Sequence, residues 1–226
     1  MKNLLAHIKI QVNEHIYLKD PYSSELGKKI IASGIKSICD MGFEQFTFRK
    51  LAQILNTTES SIYRYFENKH KLLNYLTSWY WSWLEYQLVF TTSNLELAED
   101  KLKIAINLLC VDPTTDFQLD HINIKTLADI VIAESPKAYL NKDVDAANKE
   151  GFYKAYKSLV ARLSHLVNEI NPDFEHPNTL ISTIVEGIHH QKYFALHLPS
   201  LTNISKSNKL ASFYFNMAVA TIKHKS

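Results

Sequence analysis

Five glycines and six prolines are all that interrupt 226 residues. That scarcity constrains the fold more than any other feature. A sandwich of many tight turns needs far more punctuation, and so do glycine-rich phosphate loops and collagen-like chains. With 46% hydrophobic residues the chain can bury a sizeable core in one or two domains. Apolar runs such as Ile104 to Val111 are short and broken by polar residues, which predicts no transmembrane span. The N-terminus turns polar after Leu4-Leu5-Ala6 and makes a poor signal peptide. Cys39 and Cys110 sit far apart in helical patterns, as expected for small hydrophobes in a reducing cytoplasm. The expected class is a soluble, cytoplasmic, all-α protein.

Apolar residues recur at helical spacing from end to end. A leading helix is expected over Leu4–Leu18, stopped by Asp20-Pro21. The next runs from about Ser24 to Met41, with Leu26, Ile30, Ile31, Ile35 and Ile38 on one face and Gly42 closing it. Thr47 is placed to cap a short helix over Phe48–Leu55. After the polar break Asn56-Thr57-Thr58 comes a second short helix over Glu59–Phe66, and Asn68 opens a long one to about Phe90. Further helices are expected at Leu95–Val111, Phe117–Ala133, Pro136–Ile170 with a break near Gly151, Pro177–Leu198 and Ser205–Lys223. No internal repeat is present.

Charge divides unevenly. Residues 1–71 hold 11 lysines and arginines against 7 acids, a net of +4, and residues 72–226 hold 14 against 16, a net of −2. A basic head permits contact with nucleic acid. Within it, Leu51, Ile54 and Leu55 give the first short helix an inward face, and Ile62 and Phe66 give one to the second. Ser60, Ser61, Arg64 and Tyr65 then face outward, with Tyr63 at the boundary. Serines allow close approach, phenols donate to phosphates and a guanidinium forks onto guanine, as a helix-turn-helix requires.

The stretch Phe46-Thr47-Phe48-Arg49-Lys50-Leu51-Ala52, followed by Ser61-Ile62-Tyr63-Arg64-Tyr65-Phe66-Glu67-Asn68-Lys69, resembles the tetracycline-repressor (TetR) family. So do the Gly42-Phe43 turn before it and the long helix after it. The resemblance spans about Ser24 to Leu73. It implies a three-helix DNA-binding head over residues 21–71, preceded by an extension over 1–20. Residues 72–226 would then sense a small-molecule effector and dimerise, and a homodimer would bind a palindromic operator. It also implies that Thr47 and Arg49 touch backbone or bases, that Glu59, Ser60, Tyr63 and Arg64 fall where bases are read, and that Tyr65 and Lys69 grip phosphates. Asn56 stands where glycine is frequent, and it tolerates the left-handed backbone such a turn needs. The extension is longer than the family needs, and its sparse charge favours packing over a DNA-tracking arm.

The body is less specific. Trp79 and Trp83 on the long helix, with Phe117, His121, Phe152, Tyr156 and His189, are candidates to line an effector pocket, although ordinary core packing gives the same pattern. The ten histidines lack metal-ligand spacing, so neither metal nor cofactor is expected. Leu180, Ile184 and Ile188, with Phe213, Tyr214 and Met217 on the last helix, are the candidate dimer surface. Their spacing supports a helical bundle, and the resemblance adds the dimer. No catalytic motif appears, so the leading expectation is a DNA-binding regulator that is not an enzyme. The alternative is a helical small-molecule, metal or haem carrier without a role on DNA.

Overall fold

The computed structural model describes residues 10–113, 118–119, 121–204 and 207–224. It is all-α apart from one two-residue-per-strand hairpin. The chain forms two compact units, one from Met1–Ser82 with Pro113–Ala155 and the other from Trp83–Asp112 with Tyr156–Ser226. The units do not divide at the expected 71/72 boundary, because helices far down the sequence pack with the head.

In the first unit, α1 (Glu25–Gln45) starts at Ser24, whose side chain accepts from the Gly27 N–H. Ile30, Ile31, Ile35 and Ile38 are buried along it, the face read from their spacing. Gly42, with φ of 76°, kinks it near its end, a conformation that glycine adopts without a Cβ penalty. The short helices α2 (Phe48–Ile54) and α3 (Glu59–Tyr63) follow. Next comes α4 (Lys69–Thr92), with Asn68 Oδ1 accepting from the Lys71 N–H at 2.9 Å. Trp79 is wholly buried on α4. After Ser82, α4 continues into the second unit.

The expected helix over Phe117–Ala133 is two elements. An antiparallel hairpin pairs β1 (Gln118–Leu119) with β2 (Ile122–Asn123). The Asn123 side chain then caps α6 (Ile124–Tyr139) by accepting from the Thr126 N–H. Pro136 sits inside α6, near its C-terminal end rather than at the start of a new helix, so the break falls after Tyr139. α7 (Val144–Lys149) is brief, and Gly151, with φ of 79°, turns the chain into α8 (Lys154–Ile170). α1 packs along α6. From Ile10 the leading segment holds one 3-10 turn, Glu14–Ile16, rather than the expected helix, and the rest of that expectation lies outside the described residues. Asn13 caps this turn by accepting from the His15 N–H, a local alternative to helical bonding.

The second unit holds the rest of α4, α5 (Ala98–Cys110), most of α8, α9 (Pro177–His197) and α10 (Ser207–Lys223). α10 packs on α5 and α9. Leu102, Ile106, Leu163, Val167, Ile181 and Ala218 fill its core, each of the leucine, isoleucine and valine side chains contributing about 1.5–3 kcal/mol when fully buried. A Cβ on Gly187 would come within 2.5 Å of the Tyr214 hydroxyl oxygen, so glycine there permits the close approach of α9 and α10. Cys110 is buried as expected, its thiol pushed up to about 12 by burial. Cys39 is exposed instead, on the solvent side of α1.

Candidate nucleic-acid interface

Helices of seven and five residues are unstable alone, so caps and packing must hold them. The Thr47 side chain accepts from the Lys50 N–H at 3.2 Å, and Thr58 does the same for the Ser61 N–H at 3.2 Å. Between them Asn56 adopts φ of 49°, the left-handed turn anticipated for that asparagine. Leu51, Ile62 and Phe66 anchor the pair in the core. The Tyr63 ring meets Phe48 edge-on at 5.1 Å, which steadies a phenol that stays 46% exposed.

This packing turns Thr47, Arg49, Ser60, Tyr63 and Arg64 to solvent and leaves Glu59 and Ser61 half-buried. The Ser61 hydroxyl shares a hydrogen bond with Thr58 Oγ1 at 2.9 Å. Arg49 and Arg64 form no hydrogen bond or ion pair among the described residues. Two unspent guanidinium groups on a helix pair suit forked recognition of phosphate and guanine. Glu59 stands in the first turn of α3, where a carboxylate favours the helix dipole.

Three side chains point otherwise than expected, Tyr65 and Ile54 from their spacing and Lys69 from the resemblance. Tyr65 is 3% exposed, not outward. α3 ends at Tyr63, so helical rotation no longer sets the direction of residue 65, and the phenol shares a hydrogen bond with Ser24 Oγ at 2.6 Å. Ile54, expected inward, is 56% exposed at the last position of α2. Lys69 directs its ammonium into the fold, donating to the carbonyls of Phe43, Glu44 and Phe46 at 2.9, 3.2 and 3.3 Å. These are carbonyls at the end of α1, where the dipole favours a cation. Lys69 therefore ties α1 to α4, and its ammonium is already occupied.

Other residues that shape the head carry no local signal. Glu134 Oε1 accepts from the Phe43 N–H at 3.1 Å across 91 positions. Lys137 bridges Glu134 at 2.7 Å and Glu44 at 3.0 Å, and its hydrogen bond holds the Glu44 carboxyl below the usual range.

The effector candidates are divided between the units. In the first, Trp79 Nε1 donates to the Tyr22 hydroxyl at 3.0 Å, and the Tyr22 ring meets His121 at 4.9 Å. Trp79 and His121 thus share one partner. Phe152 is buried beneath Lys71, whose Nζ lies 4.0 Å from the ring centroid. In the second unit, Trp83 is buried and the Tyr156 hydroxyl donates to Glu186 at 2.6 Å. Phe117 lies outside the described residues. Of the dimer candidates, Leu180, Ile184, Ile188 and Tyr214 are buried within their own unit. They are spent on the monomer's core. Met217 is half-buried, and Phe213 is 51% exposed.

His189 is buried, and desolvation, with Lys192 and His190 nearby, lowers its pKa to about 3. Unfolded histidine titrates near 6.5, so between these values the unfolded state binds the extra proton. Stability therefore falls as pH falls through that window. Lowering pH from 6.5 to 5 is expected to cost about 2 kcal/mol through this residue. Denaturation midpoints at the two pH values, measured for wild type and His189→Gln, check this: the variant should lose less on acidification.

The exposed, capped helix pair on an all-α scaffold has the form of a helix-turn-helix DNA-binding domain. Residues 30–76 match the family model of bacterial regulatory proteins, tetR family. Those residues of the first unit carry that family's DNA-binding domain. Similar solved structures extend along the chain and share its fold. The fatty acid degradation regulator FadR from Bacillus halodurans is 15% identical, with TM-score 0.62, covering 92% of this chain and 98% of that one. AibR, in complex with isovaleryl coenzyme A and operator DNA, is 14% identical, with TM-score 0.58, covering 83% and 95%. The ketosteroid transcriptional regulator KstR2 of Mycobacterium tuberculosis is 12% identical, with TM-score 0.56, covering 97% and 100%. None of the curated proteins matches the chain. Among the described residues no helix is long and apolar enough to cross a membrane, and no three histidine, cysteine, aspartate or glutamate side chains group to hold a metal ion.

Proposed function

We propose that this chain is an effector-responsive transcriptional repressor that binds a palindromic operator as a homodimer. The observation that carries this reading is the pair of unspent guanidinium groups, Arg49 and Arg64, on α2 and α3. Arg64, with Tyr63 and Ser60, reads base edges in the major groove, while Arg49 and Thr47 hold phosphates. The rest of the chain pairs two copies and responds to a ligand. Phe213 is an exposed apolar residue on α10 available for that pairing. The ligand acts by favouring a spacing of the two heads that mismatches successive major grooves. Acyl-coenzyme A thioesters are the first effectors to test, because a chain of the same fold is bound to one.

Selection of bound duplexes from a random pool tests the reading. An inverted repeat is expected, with half-sites about one helical turn apart, and affinity should fall steeply as salt rises. Recovery of no preferred sequence would overturn it.

A further inference from the structure

We propose that residues 16–19 form a strap that positions α3 for DNA reading without themselves touching DNA. The inference rests on the DNA-reading role given to α3 above. α3 spans only five residues, so its position depends on how the chain is held on either side of it. The strap holds the chain where it leaves the helix: the Leu18 N–H donates at 2.8 Å to the carbonyl of Tyr65, two residues beyond Tyr63. Lys19 Nζ stands 5.2 Å from the centroid of the same residue's ring, whose hydroxyl is held by Ser24. Tyr65 is thus gripped at its carbonyl, its ring face and its hydroxyl, immediately beyond Tyr63 and Arg64.

The strap is fixed on both sides of these contacts. Ile16 is buried, and the Tyr17 ring meets Tyr75 at 6.0 Å. Lys71 Nζ donates to the His15 carbonyl at 3.4 Å, and Asn13 Nδ2 to that of Glu150 at 2.7 Å. The Leu18 side chain is 67% exposed, so this residue contributes its backbone N–H rather than packing.

That separation permits a clean test. Leu18→Pro removes the N–H, whereas Leu18→Ala keeps it. Tyr17 has φ of −129° and ψ of 156°, the region a following proline requires, so the backbone before the substitution already suits it. Affinities for the selected duplex and a scrambled duplex are measured by anisotropy, alongside hydrogen exchange of residues 59–66. Leu18→Ala should match wild type. Leu18→Pro should lose roughly fivefold in preference for the selected duplex, the worth of one net hydrogen bond. Its amides over 59–66 should exchange faster by a similar factor. The preference is a ratio of two affinities, so a smaller folded fraction alone does not move it.

Lys19→Met, which leaves the backbone intact, should move the ratio the same way by about twofold, and it decides the matter if Leu18→Pro does not fold. Unchanged preference and exchange in the folded variants overturn the strap. So does a Lys19→Met that weakens both duplexes equally and cuts the salt slope by about one, the mark of a phosphate contact. If wild type selects no duplex, the DNA-reading role fails, and exchange over 59–66 alone decides whether the strap holds α3.

Discussion

Gly27→Ala is expected to destabilise the first unit by about 3 kcal/mol, the upper end of ordinary overpacking costs. Gly27 lies buried in the first turn of α1. An added Cβ would stand 2.2 Å from the Pro21 carbonyl oxygen and 2.8 Å from both its carbonyl carbon and Cα. These are backbone atoms and cannot rotate away as a side chain can. Relief requires moving either α1 or the turn Pro21–Ser23, and either motion disturbs the Ser24 cap and its bond to Tyr65. Gly34→Ala is the control. Its Cβ would meet only Leu72 Cδ2, at 3.3 Å, the movable end of a side chain. Alanine also gains about 0.5–1 kcal/mol over glycine within a helix, so the two changes should nearly cancel. Chemical denaturation of both variants checks the contrast, and equal midpoints would sink the steric account of Gly27.

Arg64→Ala should leave stability within about 0.5 kcal/mol of wild type, since the side chain is exposed and makes no bond within the described residues. Its effect should fall on DNA. Loss of a forked contact to a base edge costs about 1–3 kcal/mol, or roughly fivefold to more than a hundredfold in affinity. The preference for the selected duplex should relax at one base pair per half-site. Arg49→Ala offers the comparison: uniform weakening across sequences and a salt slope reduced by about one. Anisotropy titrations over a salt series distinguish the two. If Arg64→Ala retains full affinity and full preference, α3 is not the reading element.

Much of the head was legible because its determinants are local. Thr47, Asn56 and Asn68 act on amides or dihedrals within three residues of themselves, and the isoleucines of α1 follow from a 3.6-residue period. Legibility ended where the period did. Helical spacing continued to Tyr65 points it outward, but α3 ends two residues earlier and the chain has left the helix there. Lys69 looked available for a phosphate because the carbonyls it satisfies lie 23 to 26 positions earlier. In the body, the periodicity of Leu180, Ile184 and Ile188 identified a buried stripe, but an apolar stripe looks the same whether its own unit or a second copy covers it.

The amino-acid sequence by itself determined an all-α chain, the two short capped helices and the outward Ser60 and Arg64 on and just after the second of them, since caps, turns and helical periods act over a few residues. Tertiary structure alone decided that α6 shares a unit with the head, that Glu134 holds the Phe43 amide, and that the segment before Pro21 grips the exit of α3. Those bonds join residues 47 and 91 positions apart. Pairings at such separation are set by which buried faces meet and which orphan backbone groups then find partners.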